Sequence, residues 1–153
     1  MSNQEDGIYL SGFIWGSAKD YWPNIIRYIS KHYQITFVKK YKFHTYKDLS
    51  NMIIKLYKHD NVSLSKIKKY KIKSLENYAP VCLNVQFYVP NPNLISGTRD
   101  MFEKDVFEMK KNIRKKYRNK VKNYVRDNII HISDNQKQNK FIDNIINYQI
   151  IHD

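Results

Sequence analysis

Pro80-Val81-Cys82-Leu83-Asn84-Val85-Gln86-Phe87-Tyr88-Val89-Pro90 is the stretch on which the fold turns. It is apolar and rich in β-branched and aromatic residues, and Asn84 and Gln86 interrupt it at every second position. That period of two belongs to a strand whose faces meet different surroundings. Proline cannot donate to a strand ladder, so a proline at each end bounds the strand. Pro90-Asn91-Pro92-Asn93 then reads as a turn.

Toward the amino terminus, Gln34 to Lys42 alternates and reads as another strand, with Ile35, Phe37 and Val38 expected inward. Ile8 to Ile14 (Ile-Tyr-Leu-Ser-Gly-Phe-Ile) reads as the first strand, broken by Gly16 and Ser17. Tyr21-Trp22-Pro23 leads into a helix with Ile25, Ile26, Ile29 and Tyr33 inward, Pro23 falling in the first turn where its missing N–H costs nothing. Thr45, with Asp48 three residues on, resembles a capping box. It opens a helix whose apolar stripe is Tyr46, Leu49, Ile53, Leu56 and Tyr57. Residues 59–79 are polar and Lys-rich, a connection with one short helix at most.

Toward the carboxyl terminus, a long helix is expected from about Asp100 to Tyr124, with Val106, Ile113, Tyr117, Val121 and Tyr124 on one stripe. Asn128 to Ile132 reads as a fourth strand, and Phe141, Ile142, Ile145 and Ile146 mark a closing helix. The order β-α-β-α-β-α-β-α predicts an α/β (α+β) fold. It is expected to be a ferredoxin-like mixed sheet of about four strands with helices packed on it, in a single domain over residues 1–153.

Composition narrows the function classes. The chain carries a net charge of +13, from 22 Lys and only 5 Arg, beside 16 Asn, 20 Ile and 13 Tyr. A basic surface attracts polyanions. Lys, Asn, Ile and Tyr, however, are the residues an AT-rich genome over-produces, and Arg is the better reader of phosphates and bases. A single cysteine, Cys82, excludes an internal disulfide framework and favours a reducing compartment. No apolar run reaches the roughly 18 residues that span a bilayer. The expected setting is cytoplasmic or otherwise intracellular, with no membrane partner. Walker-type loops, paired catalytic carboxylates and metal-ligand spacings are absent from the sequence, so no metal site is assigned.

His131 stands near the end of the fourth strand, before the turn Ser133-Asp134-Asn135. Strand ends that feed helix starts are where α/β proteins hold ligands, and an imidazole there can act as nucleophile or general acid/base. Ser133 and Asp134 either orient it or cap the next helix. Asn128-Ile129-Ile130-His131-Ile132-Ser133-Asp134 resembles the active-site segment of nucleoside diphosphate kinases, which reads Asn-Ile-Ile-His-Gly-Ser-Asp. The resemblance implies that His131 is a phosphorylated nucleophile and that Asn128 helps position the nucleotide. It also implies phosphate-binding roles for Arg118, thirteen residues before the histidine, and for Arg99 in the loop Ser96-Gly97-Thr98-Arg99. Mg²⁺ would accompany a nucleotide substrate, and a homo-oligomer is compatible with it.

Asn24-Ile25-Ile26-Arg27-Tyr28-Ile29 resembles the family's first helix, and Pro80-Val81 its third strand. Where the family has Lys-Pro-Asp after the first strand, this chain reads Phe13-Ile14-Trp15, and Ile132 replaces the glycine after the histidine. Two further features invite binding. Lys110 to Arg126 contains nine basic residues and no acid, with Arg114, Arg118 and Lys122 on one helix face, a candidate phosphate-binding ridge in which Arg114 and Arg118 would hold phosphates. Trp15, expected in the loop after the first strand, offers a base a stacking surface. The expected function is therefore a nucleotide- or phosphate-handling domain, with a divergent phosphotransferase as its catalytic form. The alternatives are a non-catalytic nucleic-acid module using the basic helix, and a small interaction protein.

Overall fold

The computed structural model describes residues 7–58, 72–97, 101–121, 128–140 and 142. In chain order they form β1 (Ile8–Trp15), a 3-10 segment (Gly16–Tyr21), α1 (Trp22–His32), β2 (Gln34–Lys42), α2 (Tyr46–Lys58) and the single turn α3 (Lys73–Leu75). There follow β3 (Val81–Val89), β4 (Leu94–Ser96), β5 (Met101–Glu103), α4 (Lys104–Tyr117) and β6 (Ile130–Ile132), and residues 136–140 are helical.

Four strands form one sheet in the order β2-β3-β1-β6. Every neighbouring pair is antiparallel, where a mixed sheet was expected. Each helical crossover skips a strand: α1 carries the chain from β1 to β2 with β3 lying between them, and α4 carries it from β3 to β6 with β1 between. β2 and β3, joined through α2 and α3, are antiparallel neighbours between these two crossovers, which completes the ferredoxin-like strand order.

The two faces of the sheet bury different cores. On one, Ile25 and Ile29 of α1 and Val106, Ile113 and Tyr117 of α4 pack with Leu10, Ile14, Val85, Phe87 and Ile130. On the other, Leu49, Ile53, Leu56 and Tyr57 of α2 and Leu75 of α3 pack with Phe13, Trp15, Tyr41 and Cys82. β3 is covered on both faces along most of its length, which explains its near-continuous apolar sequence. Pro23 stands in the first turn of α1, and the Thr45 hydroxyl accepts the Asp48 N–H at 3.2 Å, as their positions predict. Asn91 takes the left-handed backbone (φ 52°) that lets the chain turn out of β3 between two prolines.

Several expectations are corrected. Phe37 and Val38 are both 43% exposed, because β2 is an edge strand with a bulge between Ile35 and Phe37 that breaks the period of two. Trp15 is not in a loop: it is the last residue of β1, fully buried and stacked on Phe13. The long helix starts at Lys104, not near Asp100, because a hairpin precedes it in which Leu94 pairs with Glu103 and Ser96 with Met101. Glu103 then caps α4, its carboxylate accepting the N–H groups of Asp105 (2.7 Å) and Val106 (2.9 Å). The helix ends at Tyr117, with Val121 buried beyond it. Tyr124, Phe141, Ile145 and Ile146 lie outside the described residues, and Ile142 is buried as expected. No helix among the described residues is long and apolar enough to cross a membrane.

β1 and β6 touch most closely at Gly12, which pairs with Ile132. A β-carbon on Gly12 would stand 2.1 Å from the His131 carbonyl oxygen and 2.9 Å from the Ile132 Cα, both backbone atoms. On Gly7 it would meet only the movable end of the Tyr88 side chain. Gly12→Ala is therefore expected to cost about 2 kcal/mol or more by forcing the two strands apart. Gly7→Ala should stay within about 0.5 kcal/mol. Thermal denaturation of the two variants checks the contrast.

Candidate functional site

β6 is three residues long, and its alternation decides what the site contains. Ile130 and Ile132 point into the core beneath α1 and α4. His131 points to the opposite face, beneath α2, where its ring meets the ring of Tyr57 edge-on at 4.7 Å between centroids. Across the sheet it heads a row through Phe13 and Asn84 to Lys39. Asn84 is held by its amide, which donates to the Gly12 carbonyl at 2.9 Å. His131 is 7% exposed, buried under α2 against Tyr57.

The flanking residues fix this strand end. Asn128 is fully buried, and its backbone carbonyl accepts the Ser17 hydroxyl. Ser133 extends the pairing of β6 with β1: its N–H donates to the Ser11 carbonyl (2.9 Å) and its hydroxyl accepts the Ser11 N–H (3.2 Å). The Ser11 hydroxyl donates to Asn139 Oδ1. Asp134 forms an ion pair with Lys110 of α4 at 3.4 Å, and its carbonyl accepts the Glu103 N–H.

The cap of the following helical turn is Asn135, not Ser133 or Asp134. Its Oδ1 accepts the Gln138 N–H at 3.0 Å and its Nδ2 donates to the Met101 carbonyl at 2.8 Å. The Gln138 side chain accepts the Asp134 N–H in return. The N–H groups of Asp134 and Gln138 at this helix start are thus committed to protein acceptors.

The arginines divide. Arg114 lies on α4, which covers the face opposite His131, and its Nη2 donates to the Ile130 carbonyl at 3.0 Å. β6 is an edge strand, and that bond serves a carbonyl on its outer side. Arg118 is exposed at the C-cap of the same helix. The structure therefore does not gather Arg114 and Arg118 around the imidazole as the spacing suggested. Arg99 lies outside the described residues; on either side of it Ser96 and Met101 pair antiparallel, and the helix begins at Lys104.

Several other cations of α4 lie over aromatic rings. Lys116 sits 5.8 Å from Tyr28, and Lys120, just beyond the helix, 5.9 Å from Tyr21. Such contacts give part of the basic ridge a local partner. Burial pushes the Cys82 thiol up, which leaves it un-ionised. No group of three metal-ligating side chains occurs among the described residues.

The site residues that sequence reading passed over are Tyr57, taken only as core, and the buried polar group Ser11, Asn84 and Asn139. Polar residues at alternate positions of apolar strands were the available signal for Ser11 and Asn84.

No family model and no curated protein sequence matches the chain. Among solved structures it is similar to the Aquifex aeolicus nucleoside diphosphate kinase, with a TM-score of 0.54 at 14% identity, over 92% of this chain and 94% of that one. It is also similar to an NDP kinase from Pyrobaculum aerophilum, with a TM-score of 0.50 at 11% identity, over 91% of this chain and 94% of the other. The likeness is one of fold: an antiparallel four-stranded sheet with helices, arranged as in these kinases.

Asn135→Ala removes a cap and the amide donor that ties this turn to the Met101 carbonyl. It should lower stability by about 1–2 kcal/mol. Arg118→Ala, at an exposed position, should change it by less than about 0.5 kcal/mol. Urea denaturation midpoints distinguish the two.

Proposed function

We propose that this chain is a nucleotide- or phosphate-binding domain on the fold of the nucleoside diphosphate kinases, with His131 as the side chain that meets the phosphate. The observation that carries the reading is the place of His131. It occupies the middle of β6 on the face under α2, inside a segment that resembles the phosphotransfer segment of proteins sharing the fold. Asn128 closes the strand end on one side and Ser133-Asp134 on the other. In this reading Ser133 and Asp134 position the strand, and Arg118, Arg114 and Arg99 contribute positive potential at longer range.

Binding has more support than transfer. The slot that holds a lysine in the kinases is occupied by Phe13, which pairs across the strands with His131 and stacks on Trp15. A phosphoryl group in flight needs positive charge beside it, and an aromatic pair supplies none. The described residues offer no carboxylate cage for a metal, so Mg²⁺ would arrive with the nucleotide, held by its phosphates. An intracellular setting and assembly into a homo-oligomer belong to the same proposal.

The test is to titrate the protein with ADP, GDP and pyrophosphate, with and without Mg²⁺. In parallel it is incubated with γ-labelled ATP to follow acid-labile phosphoprotein. The expected result is saturable binding that weakens roughly 10-fold in His131→Asn, as loss of a charge-assisted hydrogen bond predicts, with labelling at trace level or absent. Absence of binding to all three ligands would refute the reading. Rapid stoichiometric labelling lost in His131→Asn would promote the site to a working phosphotransferase.

A further inference from the structure

Among the described residues, the face of the sheet that carries His131 is covered over one end and partly open at the other. Four cross-strand rows succeed one another along it. Tyr41, Cys82 and Trp15 form the first, buried under α2 and α3. Lys39, Asn84, Phe13 and His131 form the second; Phe37, Gln86 and Ser11 the third; Gln34, Tyr88 and Tyr9 the last. Ser11, bonded to Asn139, is still buried, but the rest of the last two rows is open: Tyr9 is 47% exposed and Phe37 43%, with Tyr88 half-buried between their strands. The rings of Tyr9 and Tyr88 lie 5.1 Å apart at 53°. Three aromatic side chains on three adjacent strands thus share one open sheet surface.

An exposed edge strand such as β2 invites pairing with a second copy. Two features argue for another occupant. Lys39, Lys40 and Lys42 of that strand would meet like charges or crowd the partner. Tyr9 and Tyr88 lie inward from the edge on the face of the sheet, where strand pairing leaves them uncovered. Neighbouring strands stand about 4.8 Å apart and successive rows about 7 Å. Tyr9 and Phe37 are thereby separated by two strands and one row, a spacing that suits unpaired bases splayed along a sheet. The chain's net charge of +13 supplies attraction for a polyanion, and Lys39 shares the face and row sequence with the rings.

We propose that this open end of the sheet binds single-stranded nucleic acid, with Tyr9 and Phe37 as stacking platforms for unpaired bases, Tyr88 supporting Tyr9, and Lys39 meeting the backbone. The surface is separate from the phosphate site: Tyr9 is four residues along β1 from Phe13, about 13 Å from the row of His131. It is also distinct from the basic face of α4, which packs on the other side of the sheet.

The experiment is fluorescence anisotropy of the full chain with a labelled oligouridylate about ten nucleotides long, with the same sequence as a duplex for comparison. Single strand is expected to bind more tightly than duplex. Tyr9→Ala and Phe37→Ala should each weaken it roughly 10-fold, while Tyr9→Phe, which keeps the ring, retains binding. His131→Asn should leave it unchanged, which separates this surface from the phosphate site. Circular dichroism confirms that each variant is folded. Equal affinity for duplex and single strand, or unchanged affinity in both alanine variants, overturns the proposal in favour of charge alone. A fall in molecular mass by light scattering in Phe37→Ala, with oligouridylate binding intact, overturns it in favour of a second copy.

Discussion

β1 is hydrogen-bonded on both sides, to β3 and to β6, and the second of these ladders is only three residues long. What holds that short ladder in register is the close approach at Gly12, together with the Ser11–Ser133 bonds that extend it by one step. The register matters because side chains alternate. A slip of one residue would drive the His131 imidazole into the core of Ile113 and Tyr117 and turn Ile130 and Ile132 toward α2. The backbone contact between Gly12 and the His131 carbonyl therefore determines which side of the sheet the histidine serves.

The polar groups beneath β6 reinforce this. Ser11, Ser133 and Asn139 are all buried, with Ser133 and Asn139 each bonded to Ser11, and Asn135 ties the same turn to the carbonyl of Met101. A buried polar group without a partner costs about 1–3 kcal/mol, so a shifted strand would strand several at once. Arg114 works from the other face, closing the outer edge of β6. The arginine read from the sequence as a phosphate ligand thus has a structural occupation that a one-dimensional spacing cannot show.

Much of the fold was legible because its period is unambiguous. Val81 to Val89, the stripe of α2 and the proline of α1 each state their element within a few residues. The hairpin Leu94–Ser96/Met101–Glu103 was hidden because its strands are only three residues long, and the apolar Met101 and Phe102 run on into the pattern of α4. The exposure of Phe37 and Val38 was hidden by the bulge in β2, which no local rule announces. For the site, the position of His131 at a strand end was readable, whereas the face it points to was not. That depends on which helices cover which side, a property of the crossovers. Trp15 was misplaced for a related reason: β1 runs one residue further than Ile14 and carries it into the core.

The proposed role of His131 is to meet phosphate from its place beside Phe13 and Tyr57, on a fold similar to that of the nucleoside diphosphate kinases. Its most direct test is nuclear magnetic resonance of the histidine rings during titration with Mg²⁺-ADP and with pyrophosphate. The His131 imidazole signals are expected to shift in a saturable way with both ligands, together with the ring of Tyr57, while His32 and His44 remain still. Saturable binding that leaves the His131 and Tyr57 signals unmoved would contradict it.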